Sequence, residues 1–190
     1  MRRRLLLVSA LATAFLAAGC DGEEPVRAYS VAKEPSPAPL PSAPAGEIQP
    51  PSWTIPAGWR ESPEPQPMRV ATFLAGEEDA AIEIAVSVFP GDTGGLLANV
   101  NRWRGQVGLG PIAEAQVSGI VEPFENSGFT GHLMRLEGPE QHLLGAAIYE
   151  TAMDRTWFVK AQGSPATADA HAAEVFAFAR SFGAGRQGTP

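Results

Sequence analysis

The stretch Phe89-Pro90-Gly91-Asp92-Thr93-Gly94-Gly95 stands between a strand-like run and a helix-like run, where a phosphate-binding loop would sit. Such a loop needs the spacing GxxxxGK followed by Ser or Thr. Here Leu96 and Leu97 follow Gly95, and Asp92 would repel a phosphate, so the stretch reads as a tight strand-to-helix turn. The histidines are His132, His142 and His171, none at a metal-ligand spacing such as HExxH. His132 and His142 could meet on adjacent strands, but hydrogen-bonded histidines at a sheet border are the expectation. No serine lies in a GxSxG context. Cys20 is the single cysteine, which leaves no thiol for catalysis in the body of the chain. The acids gather at turns (77–79, 137 with 140, 150 with 154), the pattern of solvated hairpin tips. The 77–79 triplet lacks the interleaved ligands and glycine turn of a hard-cation loop. A pair of carboxylates converging in space is invisible in sequence, so a hydrolase stays open as an alternative.

The richest polar group lies just beyond the glycine loop, in Asn99, Asn101, Arg102, Arg104 and Gln106. Arginine is favoured where planar anions or protein partners are bound. Loop 91–95 and this helix face therefore make a candidate site for a partner or small anion, built from Asp92, Gly94, Gly95, Asn101, Arg102 and Arg104. The competing reading has these arginines paired with acids of the same domain. No motif calls for a metal or cofactor, and none is expected.

Residues 1–19, MRRRLLLVSALATAFLAAG, have three arginines, an apolar run and then small residues, the layout of an export signal. The segment ends Leu16-Ala17-Ala18-Gly19-Cys20, which resembles the bacterial lipobox, where the cysteine is lipidated and becomes the mature N-terminus. A lone thiol in an oxidising compartment would be odd, and lipidation removes the oddity. Acyl chains bury methylenes at roughly 0.8 kcal/mol each, so more than one chain makes a stable anchor. Asp21 resembles the signal that retains lipoproteins at the inner membrane of some Gram-negative bacteria, which favours its periplasmic face.

Losing Arg2, Arg3 and Arg4 with that segment moves the formal charge from −7 to −10. A body so acidic argues against nucleic acid and against lying flat on anionic lipid. The membrane contact expected is through lipidated Cys20. Residues 20–52 hold eight prolines and one aromatic, Tyr29, too little apolar surface to fold. They read as an extended tether, which at about 3.1 Å per residue reaches up to roughly 100 Å.

The elements that must position these groups follow from Trp53 onward. Trp53-Thr54-Ile55 reads as a strand before the turn Pro56–Trp59, residues 60–67 as a polar loop, and Met68–Ala75 as a strand. In Ala80–Pro90, Ile82, Ile84, Val86 and Val88 alternate with Glu83, Ala85, Ser87 and Phe89, the mark of a pleated strand. A helix is expected over 94–107, with Leu96, Val100, Trp103 and Val107 as one apolar stripe and Asp92 or Thr93 as N-cap. The opposite face, with Ala98, Asn101, Arg102 and Gly105, leaves room for the segment Pro111–Val117. Strand-like runs follow at 119–124, 128–137, 141–150 and 155–162, several apolar on both faces. Ser164 and Pro165 open a last helix, whose buried stripe is Ala168, Ala172, Val175, Ala179 and Phe182. The tail 185–190 reads as disordered.

These elements give an α+β fold, an antiparallel sheet of about six or seven strands with helices on both faces, an α/β/α sandwich spanning 53–184. The opening WTIPAGW, the order strands–helix–strands–helix and the ending WFVKAQGSP before a helix to SF resemble the PsbP-like family. That family includes an extrinsic photosystem II subunit, a Ran-binding nuclear protein and several bacterial lipoproteins. The resemblance brings no catalytic motif, and it implies binding or assembly rather than catalysis. The function expected is that of a lipid-anchored accessory protein of the bacterial envelope, not an enzyme, with a possible envelope protein as partner. The alternatives are a periplasmic small-ligand carrier, with a pocket lined by Trp103 and Phe89, and an envelope hydrolase. The identity of the ligand and the oligomeric state are not written in the sequence.

Overall fold

The computed structural model describes residues 50–77 and 80–184. The export signal, Cys20, nearly all of the tether, Glu78, Asp79 and the 185–190 tail lie outside them. Seven strands form one antiparallel sheet: β1 Arg60–Glu61, β2 Ala71–Ala75, β3 Ile82–Pro90, β4 Val121–Asn126, β5 Phe129–Glu137, β6 His142–Glu150 and β7 Arg155–Gly163. Their order across the sheet is β1-β2-β3-β7-β6-β5-β4. Helix α1, Gly95–Gln106, lies on one face and α2, Pro165–Arg180, on the other. The chain is therefore α+β with both faces of the sheet covered, as the two-sided apolar runs require. Among the described residues no helix is long and apolar enough to cross a membrane.

The α2 face is the main core. Ser164 caps the helix by accepting from the Thr167 amide at 3.2 Å, with Pro165 at its first position. Ala168, Ala172 and Ala179 are buried and let the helix settle close to the sheet, while Val175, Phe178 and the following Phe182 fill the space beside them. Trp53, Phe73, Trp157, Phe178 and Phe182 stack edge-on or tilted, with ring centroids 5.2–6.3 Å apart. These are the separations that aromatic quadrupoles favour.

Two expectations about the N-terminal part are corrected. Trp53–Ile55 is not a strand; together with the turn Pro56–Trp59, which is present, it straps across α2. The Thr54 amide donates to Ser181 Oγ at 2.8 Å, and Trp59 Nε1 donates to Glu174 at 3.1 Å. Its two tryptophans fill the aromatic cluster as loop residues, so their apolar character did not signal a strand. The strand expected from Met68 begins only at Ala71. Met68 has φ +63° and is exposed, a turn conformation that ends any pairing there.

Candidate functional site

The second face carries α1. Val100, Trp103 and Val107 bury against Met134, Leu136, Leu143 and Phe158, the stripe that the sequence showed. Trp103 lies flat enough on β6 that a Cβ at Gly145 would sit 2.3 Å from its ring, so only glycine fits there. This contact fixes the helix over one end of the sheet. At the other end the face is open. A cleft of about 550 Å³ lies between the start of α1 and the sheet.

Its floor comes from three adjacent strands. Thr130 and His132 on β5 pair in register with Tyr149 and Ala147 on β6, and Tyr149 pairs with Thr156 on β7. Thr151 closes one side. The roof is Asp92 from the glycine loop with Leu96 and Asn99 from α1.

The loop over this cleft is held from several directions. The Gly91 amide donates to Asp154 O at 2.7 Å, and Thr156 Oγ1 donates to Gly91 O at 2.7 Å. Thr93 Oγ1 donates to Pro90 O, and Asn99 Nδ2 donates to both Thr93 O and Gly95 O, each at 2.8 Å. Gly94 and Gly95 stand at φ +79° and +69°, a conformation that side chains with a Cβ resist. The N-cap is Gly94 with no side-chain cap bond, not Asp92 or Thr93. The two successive positive φ angles turn the chain into the helix, and the Thr93 hydroxyl turns back to Pro90 instead.

Electrostatics follow from the same geometry. Burial pushes the His132 imidazole below its ordinary value, against the upward pull of the Asp92 carboxylate, so it is neutral at pH 7. The Tyr149 hydroxyl donates to Asp154 Oδ1 at 2.7 Å, and that bond raises its phenol above the usual value. His142 bonds Asp169 on the α2 side, five register positions from the Ala147 that faces His132. At about 3.4 Å per residue the two histidines cannot meet, which corrects the expectation that they might. Among the described residues no group of three metal-ligating side chains converges.

The residues expected to form a site on α1 are only partly brought together. Asp92 roofs the cleft and Gly94 and Gly95 shape its loop. Asn101 is turned to the segment after the helix, donating to Ile112 O at 3.0 Å and accepting from the Ile112 amide at 2.8 Å. Arg104 Nε donates to Gly110 O at 2.8 Å. The Arg102 guanidinium lies over the Phe158 ring, 5.7 Å from its centroid. The pocket expected between Trp103 and Phe89 does not form around Trp103, which is packed shut on Gly145 and Phe158, while Phe89 borders a separate cavity of about 220 Å³ with Pro90, Met153 and Asp154.

Reading the turn acids as solvation also fails at one position. Glu150 is buried, where it accepts from Arg155 Nε at 2.6 Å and Trp157 Nε1 at 2.9 Å. It serves the core of the α2 face. Asn99 was among the polar residues singled out from sequence, whereas the cleft residues Thr130, Ala147, Tyr149, Thr151 and Thr156 were not.

No family model matches the chain, and no curated protein matches it. Solved structures with a similar fold include the following two. One is the crystal structure of LpqN, involved in cell envelope biogenesis of Mycobacterium tuberculosis, with 12% identity, TM-score 0.44, and 70% of this chain and 84% of that chain covered. The other is the solution structure of cyanobacterial PsbP (CyanoP) from Synechocystis sp. PCC 6803, with 15% identity, TM-score 0.43, and 68% and 84% covered. Neither likeness assigns a residue or a role to this chain.

Proposed function

We propose that this chain is a lipid-anchored protein of the bacterial envelope whose folded domain binds a ligand, without turning it over, in the cleft beneath loop 91–95. The observation that carries the reading is the cleft itself. It has the size of a small-molecule site, and its polar groups are fixed from three strands, a loop and a helix. The lipobox-like run to Cys20 and the proline-rich tether support the address. Asp21 favours the periplasmic face of the inner membrane. This moves the binding surface from the outer face of α1 to the space under its start, where Asn101 and Arg104 do not reach.

Two experiments test the reading. Cys20→Ser should shift the chain from the membrane fraction to the soluble one, and unchanged fractionation would contradict the anchor. The cleft is tested by recovering wild type and Thr130→Trp from their own envelope for native mass spectrometry. Thr130 is exposed on the strand floor, so the indole fills the cleft without touching the core. A retained adduct in wild type that is missing from the variant supports the cleft. Equal retention in both overturns it.

A further inference from the structure

The donors and acceptors of the cleft are unequally used. Asn99 is buried, and its amide nitrogen faces two carbonyls, Thr93 O and Gly95 O. Only a nitrogen can face two carbonyls, so chemistry fixes the orientation of the amide, and Oδ1 points away from them. That oxygen accepts no hydrogen bond from any described residue. No fully buried side-chain nitrogen or oxygen among the described residues lacks a partner, so solvent reaches Oδ1, along the cleft that Asn99 lines. The Thr156 hydroxyl gives its one hydrogen to Gly91 O, and the Tyr149 hydroxyl gives its hydrogen to Asp154.

Holding the loop thus takes the hydrogens of Thr156 and the Asn99 amide, and Asp154 takes that of Tyr149; the donors left on the lining are the Thr130 and Thr151 hydroxyls and one ring N–H of the neutral His132. Facing these uncharged donors are the acceptors Asn99 Oδ1, the lone pairs of Thr156 and Tyr149, and the Asp92 carboxylate, the one charged side chain among the lining residues. No lysine or arginine is among the lining residues, and nearby Arg155 is bound to Glu150. The positive end of α1 counts for about half an elementary charge, against the full charges of Asp92 and Asp154. A phosphate or carboxylate would meet repulsion and no cationic donor. An ammonium group would meet the opposite.

Resting on the cleft as the binding site, we propose that its ligand is an amine-bearing polar molecule of about amino-sugar size. Its ammonium lies between Asp92 and Asn99 Oδ1, and its flanking hydroxyl or amide hydrogens go to Tyr149 and Thr156. Leu96 and Ala147 give the apolar patches on which the carbon skeleton rests.

The test titrates the full-length chain in detergent at pH 7 with three monosaccharide probes that differ in charge: glucosamine, N-acetylglucosamine and glucuronate. The His132 and Tyr149 ring resonances report binding. Glucosamine should give saturable shifts, N-acetylglucosamine should bind at least about tenfold more weakly, and glucuronate should leave both rings unmoved. Asp92→Asn should weaken glucosamine about ten- to a hundredfold, the loss of one charge-assisted hydrogen bond, with the melting temperature unchanged. Equal or tighter binding of the neutral or the anionic probe overturns the amine class and leaves the cleft reading standing. Unchanged affinity in Asp92→Asn also overturns it. So does the absence of saturable shifts with all three probes, and the cleft reading is then decided separately by the Thr130→Trp comparison.

Discussion

The two faces of the sheet are built from the same strands and finished differently. Over the α2 face, sixteen helical residues and the Trp53–Trp59 strap pack the sheet with a cluster of aromatic rings, and the polar groups of Glu150 are matched by Arg155 and Trp157. Over the α1 face, a twelve-residue helix covers one end only, anchored by Trp103 on Gly145. The strand residues at its uncovered end are Thr130, His132, Tyr149 and Thr156 in place of Met134, Leu136, Leu143 and Phe158. Both faces carry a core, the larger one under α2, and the α1 face gives up apolar burial at one end to hold polar side chains in a fixed array.

The largest test of this contrast is truncation of the closed face. Trp157→Ala or Phe178→Ala should cost about 3–5 kcal/mol in denaturant unfolding, whereas Thr130→Trp should stay within about 0.5 kcal/mol. Comparable losses on both faces would erase the distinction. Glu150→Ala comes next, at about 3 kcal/mol, because it removes the buried carboxylate that accepts from both Arg155 Nε and the Trp157 indole N–H. A loss under about 1 kcal/mol would show that Glu150 is better hydrated than its burial indicates.

Loop 91–95 gives a smaller effect. Gly95→Val places a β-branched residue at φ +69° and should cost about 1–3 kcal/mol. Arg104→Ala loses one surface hydrogen bond to Gly110 O and should cost under about 1 kcal/mol. Equal losses in melting temperature would contradict the strain argument.

The smallest effect is the pH response of His132. Burial lowers its folded value below 6.5, so near that pH the unfolded chain binds more protons than the native one. Its contribution is level above the unfolded value and turns against the fold as pH drops through 6.5 toward the lower folded value. Melting temperatures between about pH 7.5 and 5 should fall less steeply in His132→Asn than in wild type. A variant with an unchanged slope would place the titration elsewhere.

The architecture was legible because its signals are local and periodic. Alternation in Ile82–Pro90 and the stripes of both helices name the buried faces without any tertiary knowledge. The Trp53–Trp59 strap was misread because two tryptophans beside a turn look alike whether they lie in a strand or cover a core. The cleft was harder to see, since its floor joins residues 130, 132, 147, 149 and 156 across three strands. One trace of it does stand in the sequence. Along a single face of β5 the residues change from Thr130 and His132 to Met134 and Leu136, from polar to apolar at period two. That change marks where the covering helix stops. Asn101 and Arg104 drew attention as charged or polar helix residues, but their hydrogen bonds go to the backbone of 110–112; for Asn101 this agrees with the expectation that its helix face receives the segment Pro111–Val117.

The three histidines allow the most direct test of the central claim. His132 lies in the cleft, whereas His142 and His171 bond Asp169 and Glu174 at α2. The imidazole resonances of the full-length chain should be followed as extract of its own envelope is added. Shifts at His132 with His142 and His171 unmoved are the result predicted for ligand binding under loop 91–95. Shifts at His142 or His171 with His132 unmoved would contradict it and place binding on the closed face.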